Sequence, residues 1–115
     1  MAGTGDAERG WTFLTNHGHV LLCLADDPDA RLRDVAERVG ITERAVQQIV
    51  ADLERAGYVA KERVGRRNHY TVVRTGHFRH PLEEGTEIGA FLDLVLPADA
   101  RGHAESGTAG RFDRR

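Results

Sequence analysis

Cysteine occurs once in the 115 residues, at Cys23, so no disulfide can close within the chain. A reducing compartment suits such a sequence, and the cytoplasm is its expected address. Long apolar runs are missing as well. None approaches the roughly 18 residues that a membrane-spanning helix needs. The opening residues are acidic and glycine-rich, without the basic and apolar regions of a secretion signal. No glycine-rich phosphate loop follows a strand pattern, and no ordered set of nucleophile, base and acid can be assembled. Neither an enzyme nor a bound cofactor is expected.

The six histidines raise the question of metal. His17 and His19 stand two apart in a helical pattern and therefore do not share a face. His77 and His80 are close in sequence, but two imidazoles fall short of a full ligand set. Cys23 lies within VLLCLA and reads as a small buried hydrophobe. With no CxxC or HExxH spacing, no metal site is expected.

Apolar residues make up 40% of the chain and charged residues 30%, a balance that suits one small globular domain. The net charge of -2 hides an uneven distribution. Residues 31–80 carry eleven basic and six acidic groups, whereas residues 1–30 carry one and five, and residues 81–115 four and seven. A basic middle between acidic ends is what a polyanion-binding face would produce. Residues 1–10 read as a flexible leader, residues 11–96 as the folded domain, and residues 97–115 as a flexible tail.

Within the domain, a first helix is expected over Asn16–Leu24, with Val20, Leu21 and Leu24 inward and Trp11, Phe13 and Leu14 packing where it enters the core. The turn signal DDPD, residues 26–29, ends it. Leu32 is assigned to a very short strand. Val35, Ala36 and Val39 mark a second helix closed by Gly40, with the small Ala36 suited to a helix crossing and Ile41 to anchoring the turn. The stretch TERAVQQIVADLERAGYV, residues 42–59, then gives a third helix. Val46, Ile49, Val50 and Leu53 recur at its three- and four-residue spacing, Thr42 can cap its start, and Gly57 can end it. YVAKERV, residues 58–64, and HYTVV, residues 69–73, form a predicted β-hairpin with Gly65, Arg66, Arg67 and Asn68 as its loop. GTEIGAFLDLVL, residues 85–96, offers a last helix with Ile88, Phe91, Leu92 and Val95 along one side, stopped by Pro97.

Residues 32–73, LRDVAERVGITERAVQQIVADLERAGYVAKERVGRRNHYTVV, resemble the winged helix-turn-helix core of bacterial MarR-like and ArsR-like transcriptional regulators. The resemblance implies a mostly α fold with a small β-hairpin, in which the second helix of the helix-turn-helix enters the DNA major groove and the hairpin serves as a wing. It places Arg44, Gln47 and Gln48 on the base-reading face. It places Thr42, Lys61, Arg63, Arg66, Arg67 and Asn68 along the backbone or wing. The chemistry agrees: glutamine pairs with an adenine edge, arginine grips guanine or phosphate, and helix N-terminal amides near Thr42 suit a phosphate. Glu43, Asp52 and Glu62 oppose DNA contact wherever they face phosphates. The long extra helices of larger MarR-like proteins have no counterpart here, and the residues identify no small-molecule effector.

The expected function is sequence-specific binding of double-stranded DNA, with repression by site occupancy. A homodimer would read two half-sites about 34 Å apart. The Ile88, Phe91, Leu92 and Val95 stripe would then supply the dimer seam, or else cover the protomer's own core. The alternative function is a protein-interaction module that keeps the winged-helix scaffold without binding DNA.

Overall fold

The computed structural model describes residues 10–97. The expected leader and tail lie outside the described residues, apart from Gly10 and Pro97 at their borders. Four helices and one hairpin follow in order: α1 (Asn16–Asp26), α2 (Leu32–Val39), α3 (Glu43–Arg55), β1 (Val59–Val64), β2 (Arg67–Val72) and α4 (Ile88–Val95). The fold is mostly α-helical with a small antiparallel hairpin, as the sequence pattern indicates.

Helix α1 starts where the Thr15 hydroxyl accepts a hydrogen bond from the Gly18 amide at 3.3 Å. Its Val20, Leu21, Cys23, Leu24 and Ala25 are all buried, so this helix is the centre of the core rather than a half-solvated cover. Burial pushes the Cys23 thiol above its ordinary pKa, as expected of an inert core residue. Trp11 and Phe13 do not join this core. They are 69% and 91% exposed and meet each other edge to face, with ring centroids 5.0 Å apart. The start of α1 borders an open cavity instead, lined by Phe13 and Leu14 together with Ile88 and Phe91.

Leu32 is the first residue of α2 and not a strand residue. Arg31 bonds the Asp34 carboxylate at 3.0 Å, and the acid sits in the first turn, where the helix dipole favours it. A single backbone hydrogen bond links the turn before α2 to the hairpin, the Tyr70 amide donating to the Pro28 carbonyl at 2.8 Å. Helix α2 ends at Gly40, whose φ of +88° is the left-handed conformation that a side chain resists. The Gly40 and Ile41 amides both return to the Ala36 carbonyl, which turns the chain directly into α3. Ala36 is buried, and Ile41 packs on the core from the turn.

The hairpin is tighter than the sequence suggests. Strand β2 begins at Arg67, and Val64 pairs with Arg67 across a turn made of Gly65 and Arg66 alone. Arg67 and Asn68, expected in the loop, are strand residues. Gly65 has a φ of +65° while Arg66 stays at negative φ, the sign pattern of a two-residue turn that matches strand twist. Extending the ladder by two residues satisfies backbone groups that a four-residue loop would leave to water.

After β2 the chain folds back on itself before α4. The Ile88 amide bonds the Gly76 carbonyl at 2.7 Å, the Gly89 amide bonds the Arg74 carbonyl at 2.9 Å, and Arg74 pairs with Asp93 at 2.8 Å. Ile88 and Leu92 enter the core at 3% and 1% exposure. Phe91 is half-buried and meets Phe78 edge to face at 5.3 Å, whereas Val95 is 44% exposed. Truncation should therefore cost alike at both ends of this core. Leu24→Ala and Leu92→Ala are each expected to lower unfolding stability by about 2–5 kcal/mol in urea titrations. A loss below about 1 kcal/mol at Leu92 would contradict the docking of α4.

Candidate nucleic-acid interface

The interface begins with the two sides of α3. Val46, Ile49, Val50 and Leu53 are buried against α1, α2 and β1. That stripe fixes the rotation of the helix, and Arg44, Gln47 and Gln48 are left on its exposed side. Positions 44, 47, 48 and 51 follow helical three- and four-residue spacing, so the long polar groups converge over the small Ala51. Among the described residues, none of these three side chains makes an intramolecular polar contact. Their donors and acceptors remain available to a partner. Thr42 is exposed, and its hydroxyl accepts from the Ala45 amide at 3.0 Å, which closes the N-cap while its own proton stays free.

The two acids of α3 behave differently. Glu43 stands in the first turn, where it complements the helix dipole. Asp52 is turned toward the protein: His17 of α1 donates to its carboxylate at 2.8 Å, and Arg55 pairs with the other oxygen. The His17 hydrogen bond, aided by the Arg55 and imidazole charges and opposed by partial desolvation, holds the Asp52 carboxyl below its ordinary pKa. Asp52 thus clasps α1 to α3.

On the hairpin, Lys61 and Arg63 alternate onto the side opposite Glu62, because successive strand residues point to opposite faces. Glu62 instead stands across from His69. Arg63 braces the tip by donating to the Gly65 carbonyl at 3.1 Å, and Arg66 projects from the turn without a polar partner among the described residues. Arg67 reaches inward, giving a hydrogen bond to the Asp29 carbonyl at 3.3 Å, and Asn68 is half-buried. The structure therefore separates the expected tip residues: Arg66 is free at the turn, while Arg67 ties β2 to the body.

Two contacts were invisible to sequence reasoning. His17 with Asp52, and His69 with Asp29 at 2.7 Å, each join residues 35 or more positions apart. No local spacing signals such pairs. His19 bonds the Asn16 side chain, and His77 bonds the Glu84 carbonyl. Among the described residues there is no group of three His, Cys, Asp or Glu side chains able to hold a metal ion. An open cavity of about 960 Å³ lies between α1, the end of α3 and α4, lined in part by Phe13, Leu21, Leu53, Tyr58 and Phe91.

Residues 14–60 match the family of winged helix-turn-helix DNA-binding domains. The match spans α1, both helices of the helix-turn-helix and the start of the wing. The chain is also similar to the PcaV transcriptional regulator from Streptomyces coelicolor, solved in complex with its natural ligand. Identity is 29%, with 78% of this chain and 67% of that chain covered and a TM-score of 0.49. No curated protein matches the chain. The order of helices and hairpin agrees with a winged helix-turn-helix architecture. None of its described helices is long and apolar enough to cross a membrane.

Two tests of the scaffold follow from this geometry. Replacing the cap, Thr42→Ala, should cost about 1 kcal/mol of unfolding stability. The Asp52 clasp has a pH signature. A carboxyl whose folded pKa is depressed stabilises the fold above its unfolded pKa, and that contribution disappears as pH falls through the folded value. Asp52→Asn should therefore flatten the loss of stability below about pH 4. Superimposable acid limbs for parent and variant would contradict the clasp.

Proposed function

We propose that the protein is a sequence-selective regulator that binds duplex DNA as a homodimer and represses transcription by occupying its site. One observation carries this reading. The exposed side of α3 presents Arg44, Gln47 and Gln48 with their polar groups uncommitted, on a helix whose opposite side is locked into the core. The major groove is about 12 Å wide and admits one helix. Glutamines there select base edges, Arg44 grips guanine or phosphate, and the Thr42 end of the helix receives a phosphate. Lys61, Arg63 and Arg66 follow the backbone from the wing. Arg67 and Asn68 support that wing from its base.

One such domain covers little DNA, and two related by a dyad would read half-sites about 34 Å apart. In this reading α4 supplies the seam. Val95 and the 84%-exposed Leu94 form its outer edge, with Ile88, Phe91 and Leu92 holding that edge in place from the core side. Occupancy of a promoter then excludes polymerase, and the cytoplasm is where such a protein meets its DNA.

Unbiased duplex selection, run with a measured oligomer mass, tests the proposal. One enriched, dyad-symmetric motif is the expected result. Gln47→Ala or Gln48→Ala should relax preference at particular base pairs by about 1–3 kcal/mol. Arg66→Ala should weaken binding to all sequences alike and reduce the salt slope by about one. If no duplex is retained even at low salt, a protein-interaction role for the scaffold replaces this one.

A further inference from the structure

Among the described residues, Trp11 and Phe13 are the largest apolar side chains left in water, 69% and 91% exposed, with their rings edge to face. The chain bends at Phe13 and Leu14, and the Thr12 hydroxyl donates to the Leu14 carbonyl at 2.7 Å, just ahead of the Thr15 cap of α1. Beside this arm opens the cavity of about 960 Å³, with Leu21, Leu53, Ile88 and Phe91 among its apolar walls and Phe13 and Leu14 at one side. Apolar surface gathered in one place, rather than scattered, marks a contact site. Outside residues 10–97 the sequence has Met1 and Phe112 as its only large apolar side chains, so those residues offer no apolar stretch for such walls. The arm itself does. A knob and a hole side by side on one surface suit a twofold axis, because an isologous contact uses each of them twice.

We infer that two copies of this chain exchange their aromatic arms, each seating Trp11 and Phe13 in the cavity of the other. The inference rests on the homodimer proposed above and gives it an anchor beyond the α4 seam. Area supports it. A Trp or Phe side chain buries about 150–250 Å². Four rings contribute about 600–1,000 Å², and the walls they cover a comparable area, which together reach the roughly 1,200–2,000 Å² of a stable interface. The polar groups at the mouth do not oppose an incoming ring. Asp52 and Arg55 are paired with each other, and Arg79 is exposed beside the opening, where a guanidinium can lie over an inserted indole. Helix α4 lends Ile88 and Phe91 to the cavity, so arm and seam belong to one interface. Because His17 and Asp52 clasp α1 to α3, a seated arm also fixes the separation of the two reading helices.

Trp11 is the sole tryptophan of the chain, so intrinsic fluorescence reads the arm directly. Emission and sedimentation mass are followed without DNA over a dilution series of the parent, Phe13→Ala and Ala56→Phe. Phe13 is exposed, and Ala56 lines the cavity from an exposed position at the end of α3, so neither change removes a buried contact of the protomer. The parent's emission should move to shorter wavelength in step with the doubling of mass. Phe13→Ala takes a ring from the arm, and Ala56→Phe fills the hole from within. Each should raise the dimer dissociation constant about tenfold or more and leave Trp11 in water at concentrations where the parent is dimeric. A parent dimer that emits as the monomer does, or variants that dimerise as the parent does, would overturn the exchange while sparing the α4 seam. Shielded Trp11 at monomeric mass would overturn it too, since the arm then closes on its own cavity. Monomeric mass throughout, with Trp11 in water, would overturn the exchange and the homodimer together.

Discussion

Everything on the exposed side of α3 depends on what happens on its buried side. Val46, Ile49, Val50 and Leu53 lock into the core built on Val20 and Leu24 of α1. Burying side chains of this size is worth about 1.5–3 kcal/mol each, far more than any surface hydrogen bond that Arg44 or a glutamine could form within the chain. The apolar stripe consequently dictates the rotation of the helix, and the polar side follows without being asked to stabilise anything. The proposed binding face can do without intramolecular partners because stability is supplied elsewhere.

The same division of labour runs through the charges. Four aspartates are drawn into the scaffold: Asp52 is held by His17 and Arg55, Asp34 by Arg31, Asp26 by Arg38 and Asp29 by His69, whereas Glu43 and Glu62 stay exposed without such a partner among the described residues. Exposed ion pairs of this kind contribute little to stability individually. Their effect is directional, since each neutralises an acid and fixes where one element meets another. Among the described residues, Arg44 of α3 and Lys61 and Arg66 of the hairpin have no acid partner, and neither do Arg33 of α2 and Arg79 before α4.

Much of this was legible in the residue order. The period of α3, its Thr42 cap and the glycine at position 40 are local signals, and local signals determine helix limits. The winged-helix order followed from those limits and from the switch to strand-like residues after Gly57. The exceptions have separate causes. Leu32 reads as a short strand, yet leucine is a good helix former and opens α2, with Asp34 in its first turn. Arg67 and Asn68 resemble loop residues, but ladder pairing with Val64 and Arg63 takes them into β2. Trp11 and Phe13 are strongly apolar and still lie outside the core, packing edge to face on each other. The histidine–aspartate pairs had no sequence signature, since neither partner predicts the other across such separations.

The proposed function requires one duplex to engage the open side of α3 and the turn of the wing together. Titrating duplex DNA into isotopically labelled protein and following every amide by NMR tests it most directly. The account predicts that the largest shifts cluster at Thr42, Arg44, Gln47, Gln48 and the Gly65–Arg66 turn, with the buried stripe of α3 little moved. Shifts confined to α4 or to the cavity beside Phe91, with the α3 and wing amides unchanged, would contradict it.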